Sequence, residues 1–156
     1  MQTLEFRCHA GARGANIAIG VLLCLTIIGI PFGVYVLWRA GGSKLLLSPT
    51  DVVARGLTTT KVSFADVARF GLLRVPLRTG GGLGGAMGRA RVGGGTHAIH
   101  LCFQNSAGKT TRFLVSMFEK HEEIAQTISQ IVHRQPEDMI TSGFGPRWPA
   151  AAAQAA

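Results

Sequence analysis

His121-Glu122 opens as the zinc-binding helix of a metalloprotease opens, but that chemistry needs a second histidine one turn further on, and Ala125 stands there. Gly108-Lys109-Thr110 has the ending of a phosphate-binding loop, yet the first glycine of that loop is replaced by Phe103. Gly80, Gly82 and Gly85 satisfy the spacing of a dinucleotide-binding turn, inside a tract so rich in glycine that the match carries no weight, and no clear helix opens after it. His97, His100 and Cys102 lie close in sequence, but alternation along a strand leaves only His100 and Cys102 on one face, too few for a metal. The chain reads as a non-enzyme with no cofactor and no metal, because its eight carboxylates offer no pair placed for acid–base work.

Charge says more than any motif. The 156 residues carry a net charge of +8 and a pI near 10.5. From position 67 to 118 there is no Asp or Glu, while Arg69, Arg74, Arg78, Arg89, Arg91, Lys109 and Arg112 supply seven positive charges. Such residues attract an anionic lipid surface by about 1 kcal/mol each, fading within a Debye length, so these seven are the candidate anionic-surface residues. Nucleic acid is not the expected partner, since the stretch lacks a recognised binding motif and its only aromatics are Phe70, Phe103, Phe113 and Phe118.

The elements that must carry this charge begin with an uncharged run. Residues 15–38, ANIAIGVLLCLTIIGIPFGVYVLW, hold no Asp, Glu, Lys or Arg. A single helix of that length rises about 36 Å, enough to cross a hydrocarbon core of about 30 Å with some tilt. Arg13 and Arg39 bound it, and Tyr35 and Trp38 sit at one end, as interfacial aromatics do. The reading is a kinked transmembrane helix; a re-entrant hairpin turning at Gly29-Ile30-Pro31-Phe32-Gly33 stays open, because Pro31 removes a backbone donor. Arg7 and Arg13 before the run against Arg39, Lys44 and Arg55 after it place the C-terminal domain in the cytoplasm of a single-pass membrane protein, in a bacterial inner membrane. Gly29 and Gly33 form the G-x-x-x-G spacing of close helix packing, the candidate contact for a homodimer through this helix. Cys8, Cys24 and Cys102 are odd in number and scattered, so no disulfide framework is implied.

Beyond the run, KLLLS and the turn Pro49-Thr50-Asp51 lead into short alternating segments up to position 75, as in an antiparallel meander. Residues 80–95 read as a mobile glycine-rich loop. HAIHLCF and TTRFLVSMF flank the turn at 104–109 as a hairpin. In EKHEEIAQTISQIVHR, Ile124, Ile128 and Ile131 recur at helical spacing, with Glu122 and Glu123 early and His133 and Arg134 late, so an amphipathic helix is expected there. The alanine-rich end, 136–156, reads as a disordered tail.

A span followed by SKLLLSPTDVVARG, then Val62-Ser63-Phe64-Ala65-Asp66-Val67, a hairpin and an isoleucine-striped helix resembles the bacterial pleckstrin-homology-like domains over about residues 36–134. The resemblance implies an α+β fold: an N-terminal transmembrane helix, then a bent antiparallel sheet or partly open barrel capped by a C-terminal amphipathic helix. The expected organisation is an N-terminal segment at 1–14, the span at 15–38, a domain at 43–135 with a loop at 80–95, and the tail. The function implied is a membrane-anchored scaffold that binds a protein partner or anionic lipid; the alternative is an accessory subunit of a larger membrane complex. Ser48-Pro49-Thr50-Asp51 offers no base where phosphoinositide-binding members of the wider fold cluster theirs, so specific recognition of that headgroup is not expected.

Overall fold

A computed structural model describes residues 3–26, 29–56, 58–77, 82–142 and 145–149. A first strand, β1 (Leu4–Arg7), runs into two helices, α1 (Ala10–Cys24) and α2 (Ile30–Gly41). Next come β2 (Lys44–Leu47), β3 (Asp51–Arg55), β4 (Thr59–Ser63), a 3-10 turn over Phe64–Asp66, and the long β5 (Val67–Pro76). Helix α3 (Leu83–Arg91), the hairpin β6 (His97–Asn105) and β7 (Thr110–Leu114), helix α4 (His121–Val132), and β8 (Glu137–Ser142) with β9 (Gly145–Arg147) complete the order.

The expected transmembrane helix is two shorter ones. Thr26 Oγ1 donates to the Leu23 carbonyl at 3.0 Å and accepts from the Gly29 amide at 3.1 Å, which ends α1 and turns the chain. Gly29 caps α2, and Pro31 lies in its first turn, where a missing amide is tolerated. Fifteen and twelve residues rise about 22 Å and 18 Å, short of a core of about 30 Å. Among the described residues no helix is long and apolar enough to cross a membrane. The single-pass topology, the inner-membrane placement and the membrane role built on residues 15–38 therefore have no span to rest on. The two helices instead pack antiparallel on each other, and Gly20 and Gly33 face one another at the crossing: a Cβ on Gly33 would meet Cys24 Sγ and lie 2.7 Å from the Gly20 carbonyl oxygen.

The expected single bent sheet or barrel is also corrected, to two sheets that do not close. The first is fully antiparallel, in the order β1-β2-β3-β4; the second runs β7-β6-β5-β8-β9, with β5 and β8 parallel. Between β2 and β3, Ser48 Oγ donates to Asp51 Oδ1 at 2.7 Å and accepts from the Asp51 amide at 3.0 Å. That serine-aspartate exchange sets the turn and so the β2–β3 register. Asn105 closes the β6–β7 turn by accepting the Lys109 amide at 2.8 Å, with Gly108 at φ +80°.

Core packing follows the apolar periodicity. Leu45, Leu47 and Val52 of the first sheet and Phe70, Leu101 and Phe103 of the second are buried against Ile124 and Ile128 of α4. The Phe103 ring stacks on Phe70 at 5.2 Å and on Phe113 at 5.8 Å. Rings offset at such spacings add about 0.5–1.5 kcal/mol beyond their burial. Cys8 forms a bridge with Phe118, and the Glu119 amide donates to the Arg7 carbonyl at 2.9 Å, so β1 ties the first sheet to the chain leaving β7.

Two segments take regular structure where the sequence gives no signal for it. Within the tract at 80–95, α3 packs on α1, where the bare Gly11 comes so close that a Cβ would lie 2.8 Å from the Ala90 carbonyl oxygen. Gly93 and Gly94, at φ +66° and +87°, end that helix in the left-handed region. After Pro136, β8 pairs with β5 through Gly71–Leu73, and β9 folds back on β8. The Arg69 guanidinium binds the Glu137 carboxylate in a bidentate pair and lies 4.8 Å from the centre of the Trp148 ring. Positions 150–156 lie outside the described residues.

Candidate functional site

Among the described residues the two sheets each end in a strand with one partner: β4 pairs only with β3, and β7 only with β6. Two clefts lie between these edges. One, of about 430 Å³, has Ala54, Arg55, Thr58 and Thr60 on its β3–β4 side and Arg112, Phe113 and Leu114 of β7 opposite, with Met117 and Phe118 beyond. The other, of about 140 Å³, has Lys61, Val62 and Ser63 of β4 facing Phe103, Asn105, Lys109 and Thr111. Together they mark an open seam where the first sheet fails to join the second.

Why the seam opens here is local. The β3–β4 connection is tight, with the Gly56 amide bonded to the Thr58 carbonyl at 3.1 Å, so β4 is held beside β3. The 3-10 turn at 64–66 then swings the chain away to start β5 in the other sheet. β4 thus leaves its sheet with an unmatched side, as β7 does when the chain departs at Val115.

The rim of the seam is basic. Arg55, Arg91 and Arg112 line the larger cleft with no carboxylate among its walls. Arg91 reaches it from α3, where its guanidinium donates to Asn16 Oδ1 at 3.1 Å; Asn16 is buried and neutral. Lys61 and Lys109 line the smaller cleft with one acid, Asp66. Lys61 is already paired with Asp51 at 3.0 Å, whose carboxyl is held below its ordinary value by hydrogen bonds from Ser48 and Lys61. No ion pair among the described residues engages Arg55, Arg91, Lys109 or Arg112. The walls below are apolar, with Phe113 and Phe118 mostly buried.

The seven basic residues singled out from the sequence do not form one face. Arg91, Lys109 and Arg112 come to the seam. Arg69 is committed to Glu137 and Trp148 and further donates to the Pro149 carbonyl at 3.0 Å. Arg74 stands at the groove between β5 and α4 opposite Glu122, Arg89 is exposed on α3, and Arg78 lies outside the described residues. Arg55 and Lys61 precede the acid-free stretch, so charge counting does not find them; the signal available is the short β3–β4 hairpin, which sets Lys61 on the edge strand and Arg55 at the end of β3 beside it. Gly29 and Gly33 serve the turn and the crossing inside the helical pair.

His100 and Cys102 do share a face of β6. Burial holds His100 below its ordinary value, helped by Arg112, and pushes the Cys102 thiol up to about 11. A thiol so raised stays protonated at neutral pH, which disfavours it as a nucleophile. Among the described residues no group of three metal-binding side chains comes together.

Comparison with known protein families, with curated proteins and with solved structures finds no match to this chain.

Proposed function

We propose that the chain is a non-enzymatic binding module that receives an extended, acidic segment of a protein partner in the seam between β4 and β7. The observation that carries this reading is the coincidence of two one-sided strands with a rim of four basic side chains outside any ion pair among the described residues. A strand edge offers amides and carbonyls in register for an added strand, and pockets beside it take alternate side chains. Arg55, Arg91 and Arg112 select carboxylates, while Phe113, Met117 and Phe118 give the alternate positions an apolar floor. Arginine suits this role because its planar fork meets a carboxylate with two hydrogen bonds.

The test uses a labelled decapeptide of alternating Glu and Val and its counterpart with Lys for Glu, titrated with the full chain by fluorescence anisotropy. The acidic peptide binds with a dissociation constant below about 1 mM, and binding weakens as salt rises from about 0.05 to 0.5 M. Arg55→Glu with Arg112→Glu abolishes it. Equal binding of both peptides, or none, overturns the reading.

A further inference from the structure

Among the described residues eleven large apolar side chains stand exposed, and nine of them belong to the α1–α2 hairpin. Phe32 is 67% exposed, Trp38 74% and Leu25, beside the turn, 77%. On α1 the exposed Ile17, Val21 and Leu25 recur every four residues; on α2, Ile30, Val34 and Trp38 do the same. Each helix therefore carries an apolar stripe that neither its partner helix nor α3 covers.

At roughly 100 Å² for each half-exposed side chain, the six of the two stripes present on the order of 600 Å² of apolar surface, the upper end of the about 300–600 Å² of the largest patch on an ordinary monomer. Two such faces together bury about 1,200 Å², the lower end of the range of a standard stable interface. The patch lies within residues 15–38, which carry no charge, so it has nothing with which to select a charged partner. The nearest cation, Arg39, is drawn back over the Tyr35 and Trp38 rings, 5.9 Å from each centre. A surface of repeated apolar stripes is complementary to itself under a two-fold axis, where each stripe meets the same stripe of the other chain. Its aromatic content is that of an interface centre.

The geometry points to a second copy of this chain as the occupant: two α1–α2 hairpins pack face to face into a four-helix arrangement, leaving both seams free. The basic rim at Arg55 and Arg112 lies on the sheets, and the hairpin meets the larger cleft only at Asn16, which is buried rather than part of the exposed stripes. The dimer is therefore independent of the peptide site.

Sedimentation equilibrium of the full chain from about 1 to 200 µM tests this, without lipid or detergent. The mass is expected to rise with concentration from 16.5 kDa to twice that value. Trp38→Lys and, separately, Val34→Lys each raise the dissociation constant at least tenfold while leaving the far-UV dichroism unchanged, since neither side chain supports the monomer's core. Lys109→Glu leaves the dimer as it is. A mass fixed at 16.5 kDa throughout overturns the proposal, as does a dimer indifferent to both hairpin substitutions. Co-sedimentation of a protein that never dimerises with phosphatidylcholine vesicles overturns it too, assigning the hairpin to lipid.

Discussion

The hairpin and the seam are opposite solutions to an unfinished surface. The hairpin leaves apolar side chains in water while satisfying its backbone within two helices, so what it lacks is a covering for carbon. The seam buries its aromatics and leaves two strand edges and a basic rim, so what it lacks is hydrogen-bond partners and negative charge. A covering for carbon is non-directional and accepts any apolar surface of the right shape. A strand edge with fixed charges is directional and demands one conformation and one sign. Specificity is therefore expected at the seam and association at the hairpin.

The sharpest way to break that contrast is to remove one phenylalanine from each region. Phe103→Ala empties the stacked core and costs about 3–5 kcal/mol in chemical denaturation. Phe32→Ala, at 67% exposure, shifts monomer stability by less than about 0.5 kcal/mol at a concentration too low for dimers. A large loss from Phe32→Ala under those conditions would mean the hairpin belongs to the core.

Next in size is the helix crossing. Gly33→Val drives a side chain toward Cys24 Sγ and the Gly20 backbone, and is expected to lose about 1–3 kcal/mol and the concentration-dependent mass together. Gly41→Ala, with nothing within 4 Å of its new carbon, leaves both unchanged to within about 0.5 kcal/mol.

Salt separates the two regions by sign. Raising it from about 0.05 to 0.5 M screens the attraction of the basic rim for an acidic peptide, lowering that affinity several-fold. The same change relieves repulsion between two copies that each carry +8, so self-association tightens modestly. Parallel responses in anisotropy and sedimentation would contradict the division.

The smallest effect lies outside both regions, at β8. The Arg69 guanidinium holds the Glu137 carboxyl below its ordinary 4.5. A group depressed in the folded state stabilises above its unfolded value and loses that contribution as pH falls through the folded one. Glu137→Gln therefore lowers stability at pH 7 by less than about 1 kcal/mol, since both partners are about one-third exposed. The difference from the parent chain shrinks as the pH drops below about 4.5. The seam should be indifferent to this change.

What the sequence disclosed follows from the range over which its signals act. Ile124, Ile128 and Ile131 at helical spacing marked α4, and strict alternation with the 104–109 turn marked β6 and β7. These are local patterns fixed by side-chain period. The division of residues 15–38 was less legible, because α1 and α2 are apolar on both their packed and exposed sides and periodicity is silent there. The break lies in one hydroxyl, Thr26, serving both a carbonyl and an amide. α3 was hidden because its stability comes from packing on α1 rather than from the intrinsic preference of LGGAMGRAR. β8 was hidden because its partner strand, β5, lies more than sixty residues away. Three of the seam's five basic residues, Arg91, Lys109 and Arg112, were in view in the acid-free stretch; Arg55 and Lys61 joined them through sheet topology, which charge counting along the chain does not see.

The central claim is that the seam, and not the hairpin, recognises an acidic strand. Amide hydrogen exchange of the full chain with and without the alternating Glu-Val peptide reads both regions at once. Slower exchange over 59–63 and 110–114, with 15–38 unchanged, is the predicted result. Unchanged exchange in those strands at saturating peptide, or protection confined to 15–38, would contradict it.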